Sequence, residues 1–424
     1  MKRALALLLL CALSLSALSG CSAPADYEAL TAQPIRLTDQ EMMAQDTKAP
    51  HVYQALTDFG LQLLRGAREQ EQTDTLISPL SAALALSMAA NGAEGDTLEQ
   101  FESVLAGGED LEALNVSCRA LLSIYTSLSH GSTQASIANS LWTDPDGMIS
   151  EDFIGRCIGI FDAQVFSAQL SDPGIVEALN NWVSDQTQGL IPRILDKPFS
   201  QDAAALLVNA LYLKNAWETE FDPLDTGERD FTHAGGNTEQ MDFLRHYERH
   251  FPYLELAGAQ GALLPYDDRR LAFFALMPDA GTELGDWLDT LKGDAFSQMI
   301  RSAREEEDAL FLRLSLPKFE AEWRGDLKAP LSDMGLDLAF DETGRADFSR
   351  LGENPGGYFL SQVIHAAKIE VNEKGTEAAA ATVVEASAGA AAPQDGITLD
   401  FDRPFLYGIV DMQNGVPLFL GTFE

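Results

Sequence analysis

A chain of 424 residues is long enough for one large domain or two, and a 46% hydrophobic share makes it globular rather than disordered or multi-span. Its 65 acidic against 28 basic residues give a net charge of -37, which argues against a nucleic-acid partner because phosphate contacts need a basic face. That charge favours solubility and steers basic partners, and it carries no information about fold.

Lys2 and Arg3 precede an apolar run from Ala4 to Ala12, and Leu18-Ser19-Gly20-Cys21 closes the segment with small residues before a cysteine. That ending resembles a bacterial lipobox, in which Cys21 becomes the lipidated first residue of the mature protein; a secretory signal without lipid is the alternative. The apolar run is short for a membrane span. Residues 1–21 are therefore expected to be a signal peptide, and the protein to be exported, either lipid-anchored at the bacterial cell surface or secreted. Cys11 leaves with the signal. Cys118 and Cys157 sit in apolar helical contexts that suit buried thiols, although spacing alone leaves a disulfide open.

Residues 22–49 are polar and acidic without strong periodicity, and are expected to form a tether ahead of a single domain over residues 50–424. Val52, Leu56, Phe59, Leu63 and Leu64 then form a helical stripe. Ser78-Pro79 opens a run through Ala89 that is apolar nearly all round. Ser78 fits an N-cap with Pro79 at the first helical position, and the helix is expected to be buried. Amphipathic helices fit Leu111 to Leu128 and Ser150 to Ile160, and a further helix fits Asp172 to Ile191. Strands fit Ala135 to Trp142 and Ala204 to Trp217, and several alternate with turns between Phe231 and Met277. Thr282 to Ser302 reads as a helix, Leu310 to Glu320 as a strand and Leu327 to Leu336 as a short helix. The last strands follow Leu399, with Pro404 admissible at a strand start or edge.

No phosphate-cradling glycine loop, nucleophile elbow or His-Glu-x-x-His motif is present. His246 and His250 share a helical spacing, yet the aromatic residues around them read as strand or turn, where that spacing does not converge on a metal.

The segment from Glu370 to Ala392 is the most informative. A glycine turn at Lys374-Gly375 is followed by Thr376, Glu377, four alanines and Thr382, then Val383, Val384 and a run of small residues up to Pro393. Every second side chain from Thr376 through Ala378, Ala380, Thr382, Val384, Ala386 and Ala388 is small and uncharged, while Glu377 and Glu385 fall on the other face. An extended strand alternates its side chains, so this loop has the pattern of a strand with one face fit for burial. A solvated alanine-rich linker is the plainer alternative.

Glu373-Lys374-Gly375-Thr376-Glu377, with Ala378, Ala379, Ala380, Ala381 and Thr382, resembles the hinge of the reactive-centre loop of inhibitory serpins. Ser78-Pro79-Leu80-Ser81, Val208-Asn209-Ala210-Leu211-Tyr212-Leu213-Lys214 and Leu399 to Ile409 resemble other segments of the same family, in the right order over nearly the whole mature chain. The resemblance implies an α+β serpin fold of three β-sheets and about nine helices, with an exposed reactive-centre loop at about 375–396. It implies an inhibitor rather than an enzyme, with no cofactor and no metal, acting as a monomer on a serine protease held in a covalent complex. The protease attacks the loop as substrate, and the cut loop inserts into the main sheet and carries the acyl-enzyme with it. A non-inhibitory serpin-fold binding protein is the competing class.

Carried over residue by residue, Ser78, Ser81, Asn209 and His365 would form a polar cluster that lets two strands part, and Trp217, Lys318 and Glu373 a gate at the top of the sheet. Family spacing places the reactive bond at Gly389-Ala390, within a range from Ala386 to Ala392. Small side chains there, with no basic residue between Lys374 and Arg403, favour an elastase-like or subtilisin-like target over a trypsin-like one. The only membrane contact implied is through a lipid on Cys21.

Overall fold

The computed structural model describes residues 25–71, 74–128, 133–199, 203, 205–305, 310–353, 357–376 and 396–424. The chain opens with strand β1 (Tyr27–Leu30) and helix α1 (Asp39–Gln45). A full capping box starts α1: Thr38 Oγ1 accepts from the Glu41 amide, and the Glu41 carboxylate accepts from the Thr38 amide. Helix α2 (Ala49–Glu71) buries the stripe Val52, Leu56, Phe59, Leu63 and Leu64. After β2 (Leu76–Ile77) comes α3 (Pro79–Ala90), capped by Ser78 and buried at every position but Ala85.

Helices α4 (Gly95–Ala106) and α5 (Leu111–Ser127) lead to β3 (Gln134–Thr143), α6 (Glu151–Phe161), β4 (Gln164–Ala168), α7 (Ile175–Gln186) and β5 (Ala205–Ala216). Strands β6 (Gly227–Thr232), β7 (Thr238–Phe251), β8 (Tyr253–Glu255), β9 (Ala259–Pro265) and β10 (Leu271–Pro278) follow, then α8 (Leu284–Thr290) and α9 (Gly293–Glu305). The rest is β11 (Leu310–Pro317), β12 (Phe319–Asp326), α10 (Lys328–Leu331), β13 (Ile364–Asn372), β14 (Gly375–Thr376), β15 (Ile397–Asp400), β16 (Phe405–Asp411) and β17 (Pro417–Phe423).

The strands form three sheets, in the orders β1-β4-β3-β5-β14-β13-β12, β2-β17-β16-β10-β9-β8 and β15-β11-β7-β6. Ten α-helices lie among the described residues, where about nine were expected. In the seven-stranded main sheet, α7 covers one face, setting Leu179, Trp182 and Val183 over Trp142, Phe166 and Val208. Helix α3 packs against β5 from the main core.

Four expectations are corrected. Residues 27–45, expected to lie within a polar tether, form β1 and α1. Strand β1 pairs antiparallel with β4, and Tyr27 sets its ring 5.2 Å from Trp142 and 5.4 Å from Phe166. Helix α1 buries none of its residues, so it leaves no apolar stripe in the sequence. The helix expected over 172–191 covers only Ile175–Gln186, because Gln188 and Gly189 adopt left-handed backbone angles that end it. The helix expected from Thr282 to Ser302 is broken at Leu291, whose backbone is extended, and Asp58 Oδ1 caps the second piece at the Gly293 amide. The strand expected from Leu310 to Glu320 turns a corner at Lys318: β11 belongs to the four-stranded sheet and β12 to the main sheet.

Between β1 and α1 the chain crosses α6, with the Ile35 amide donating to Gly155 O at 2.8 Å. A Cβ at Gly159 would lie 2.1 Å from Ile35 O, and one at Gly155 would lie 2.6 Å from Gln33 O. Gly159→Leu is therefore expected to displace this strap, at an overpacking cost of about 1–3 kcal/mol. Hydrogen exchange should speed up over residues 27–45 and stay unchanged in β16 and β17. Unchanged exchange in the strap would contradict the contact.

Candidate functional site at the top of the main sheet

Strand β13 ends at Asn372, and the turn through Glu373 and Lys374 folds the chain back so that β14 lies between β13 and β5. Val371 pairs with Thr376 and Asn372 with Gly375 on one side; Gly375 pairs with Ala216 and Thr376 with Asn215 on the other. Position 375 accepts only glycine, since its φ is +156° and a Cβ would meet Asn215 O at 2.0 Å. Thr376 is 2% exposed, and its hydroxyl is hydrogen-bonded to the Tyr266 hydroxyl. Tyr266 stacks on Trp217 with ring centroids 4.9 Å apart, and Trp217 Nε1 donates to Asn372 O at 2.9 Å.

The turn is held from outside as well. Lys318 Nζ lies 3.0 Å from Glu373 Oε2, and Thr226 Oγ1 donates to Glu373 Oε1 at 3.1 Å. Burial pushes the Glu373 carboxyl up, but its own backbone amide, Lys318 and Thr226 outweigh that and hold it below the ordinary carboxylate range. The Trp217 amide donates to Lys374 O and the Phe221 amide to Glu373 O. Trp217, Lys318 and Glu373, singled out from the sequence, are thus brought together. Tyr266, Thr226 and Asn215 were missed; each lies in or near strand sequence that offers no local sign of a contact with residue 376 or 373.

Among the described residues no ladder joins β5 directly to β13; β14 alone bridges them, at the top of the sheet. Towards the other end of the same gap lies a cavity of about 110 Å³, lined by Leu206 and Val208 of β5, Ile364 of β13, Leu179 of α7, Leu195 and Tyr358.

The polar cluster lies where β13 passes α3. His365 Nε2 accepts from the Ser78 amide at 2.9 Å, which fixes its proton on Nδ1. Ser78 Oγ accepts from the Ser81 amide at 3.3 Å and donates to Leu418 O at 2.8 Å, so α3, β13 and β17 meet at one serine. Asn209 does not join this cluster. Its Nδ2 donates to Asn139 Oδ1 at 2.7 Å across the β3–β5 ladder, because β5 and β13 are not paired at this level.

His365 is 4% exposed, and burial lowers its pKa to about 4. The folded state keeps the imidazole neutral while the unfolded chain takes up a proton near the ordinary histidine value of 6.5. Its stabilising share is thus complete above pH 6.5, falls as pH drops, and levels off below about pH 4, a loss of roughly 3 kcal/mol. Urea unfolding of His365→Gln is expected to lose this part of the pH slope. An identical slope in the variant would assign it to other groups.

Cys21, the hinge residues Glu377, Ala378, Ala379, Ala380, Ala381 and Thr382, and the reactive bond at Gly389 and Ala390 with its range Ala386 to Ala392 lie outside the described residues. Cys118 and Cys157 are both free and buried, and burial raises the two thiols, Cys118 to about 12. His246 is buried in β7, stacked on Phe221 at 4.2 Å. Among the described residues no group of three or more His, Cys, Asp or Glu is placed to hold a metal ion, and no helix is long and apolar enough to cross a membrane.

Residues 54–424 match the family model described as serpin (serine protease inhibitor). The chain is a serpin. Its relatives include Serpin B6 of Macaca fascicularis, 31% identical over 383 residues that cover 86% of this chain and 97% of that protein. An uncharacterized serpin-like protein of Thermococcus kodakarensis is 31% identical over 353 residues, 82% of this chain and 80% of that one. The crystal structure of the thermophilic serpin tengpin in its native state superposes with a TM-score of 0.80 at 30% identity, covering 93% of this chain and 97% of that one. Tengpin in its latent state gives 0.74, so this serpin is nearer the native arrangement. Serpins generally inhibit serine proteases and are not themselves catalysts.

Proposed function

We propose that this serpin is a suicide-type inhibitor of serine endopeptidases that take small uncharged residues, elastase-like or subtilisin-like. The observation that carries the proposal is β14: Gly375 and Thr376 already lie between β5 and β13, with no strand joining those two below them among the described residues. Insertion of the cut loop would extend a strand that has begun. Serpins are themselves the standing example of this kind of strand addition. The thirteen further residues from 377 to 389, at about 3.3 Å each, would carry an attached protease on the order of 40 Å, far enough to disorder a catalytic site that tolerates errors of about 1 Å.

The sequence from Thr376 to Ala388 supports this through its small inward face, and the absence of Arg and Lys between 374 and 403 supports the target class. The reactive bond is proposed at Gly389-Ala390, within Ala386 to Ala392. Export, and a lipid on Cys21 as the only membrane attachment of a monomer, rest on the Leu18-Ser19-Gly20-Cys21 ending.

The test is to cut the loop with a subtilisin or an elastase, sequence the new terminus and compare thermal unfolding before and after. A cut between Ala386 and Ala392 with a clearly raised melting temperature is expected, because the inserted strand adds a full ladder. A cut with unchanged stability would favour a non-inhibitory serpin.

A further inference from the structure

The four-stranded sheet carries a feature at odds with the overall charge. In a chain of net charge -37, three arginines from three strands line one cleft of about 290 Å³: Arg229 of β6, Arg245 of β7 and Arg313 of β11. Ser315, Thr398 and Asp400 complete its polar wall. Strand pairing explains the convergence, since Arg245 lies opposite Ser315, Ser315 opposite Asp400, and Arg313 opposite Thr398. Side chains at matched positions share a face. Glu228, Asp230 and Asp242 alternate onto the other face of β6 and β7.

Only one of the three cations is matched by a carboxylate among the described residues. Arg229 Nη1 lies 2.6 Å from both Asp400 Oδ1 and Ser315 Oγ, and its guanidinium sits over the Phe243 ring. Arg245 donates through Nη2 to Gly227 O at 3.2 Å, while its buried Nε has no hydrogen-bond partner there. Arg313 is half-buried and forms no ion pair among the described residues. A half-buried guanidinium that gives up water without a matched acceptor is held at a cost, which an oxyanion in the cleft would remove. Guanidinium forks suit the paired oxygens of phosphate and sulfate.

We propose that this cleft is a binding site for a phosphate or sulfate group, free or carried on a small molecule, with Arg245 and Arg313 as its principal donors. Its volume is near the lower end of small-ligand sites, enough for the oxyanion and a modest substituent. The site also joins β6, β7 and β11 to β15, the four-residue edge strand that among the described residues pairs with β11 alone. A ligand bound here therefore stabilises the folded state.

The experiment is calorimetric titration of the mature protein with inorganic phosphate and, separately, inorganic sulfate, against sodium chloride at matched ionic strength, with thermal unfolding alongside. One-to-one binding and a melting temperature raised above that in chloride are expected. Arg313→Ala should weaken binding at least about tenfold, the order of one lost charge-assisted hydrogen bond. Its melting temperature in chloride should stay near that of the parent. Arg245→Gln should weaken binding likewise, and it supplies the reading if the first variant does not fold. Binding of phosphate alone or of both anions sustains the proposal and names the preferred group. Absence of binding overturns it, as does an equal rise in melting temperature in parent and variants, which would mark a general effect of excluded salts. Protease inhibition plays no part in these readouts, so the result stands apart from the proposed inhibitory function.

Discussion

Thr376→Arg is expected to abolish the covalent protease complex while leaving cleavage of the loop intact. Thr376 is 2% exposed between β5 and β13, with its hydroxyl on Tyr266, itself stacked on Trp217. An arginine there would have to bury its charge without a carboxylate or stay outside the sheet, and a buried unpaired charge costs several kcal/mol. In the proposed mechanism, insertion of the cut loop competes with hydrolysis of the acyl-enzyme. A penalty of only about 3 kcal/mol on the inserting step slows it more than a hundredfold, and hydrolysis then wins. On a denaturing gel the variant should yield cut inhibitor and free protease, where the parent yields a high-mass adduct. A stable adduct with Thr376→Arg would remove this residue from the inserting face.

Trp217→Ala is expected to be the most destabilising single change at the site, by about 3–5 kcal/mol in urea unfolding. The indole is 4% exposed, stacked on Tyr266 at 4.9 Å and edge-on to Phe273 at 5.8 Å and Phe221 at 6.1 Å. Truncation leaves a cavity at the turn and strips Asn372 O of its 2.9 Å donor, so transfer and hydrogen-bond losses add. Lys318→Ala removes an ion pair whose lysine is 39% exposed and should cost no more than about 1 kcal/mol. Comparable losses in the two variants would mean that the turn at Glu373 is held by charge rather than by packing.

What could be read from the sequence was what rests on local signals. Ser78 and Pro79 announce the start of α3 because capping and a proline at the first helical turn act within three residues. The inward side of Thr376 was legible because strand parity is a property of the chain itself. Elements that owe their state to partners far along the chain were not. Strand β1 exists because β4, well over a hundred residues on, offers it an edge, and its exposed side chains leave no pattern. The corner at Lys318 is set by two different sheets claiming β11 and β12, so one apolar stretch hides two strands. Asn209 was grouped with His365 from resemblance alone, whereas the open gap between β5 and β13 leaves it bonded to Asn139. Tyr266 carries no mark of its contact with Thr376 until β9 and β14 are folded together.

The most direct measurement is to mix the protein, without residues 1–21, with a pancreatic-type elastase and with a subtilisin, and to follow the products on a denaturing gel after boiling. An adduct that survives boiling, at the summed mass of protease and inhibitor less the short released peptide, is the predicted result. Quantitative cleavage within Ala386 to Ala392 by both proteases, with no adduct at any ratio and no gain in thermal stability of the cut protein, would contradict it.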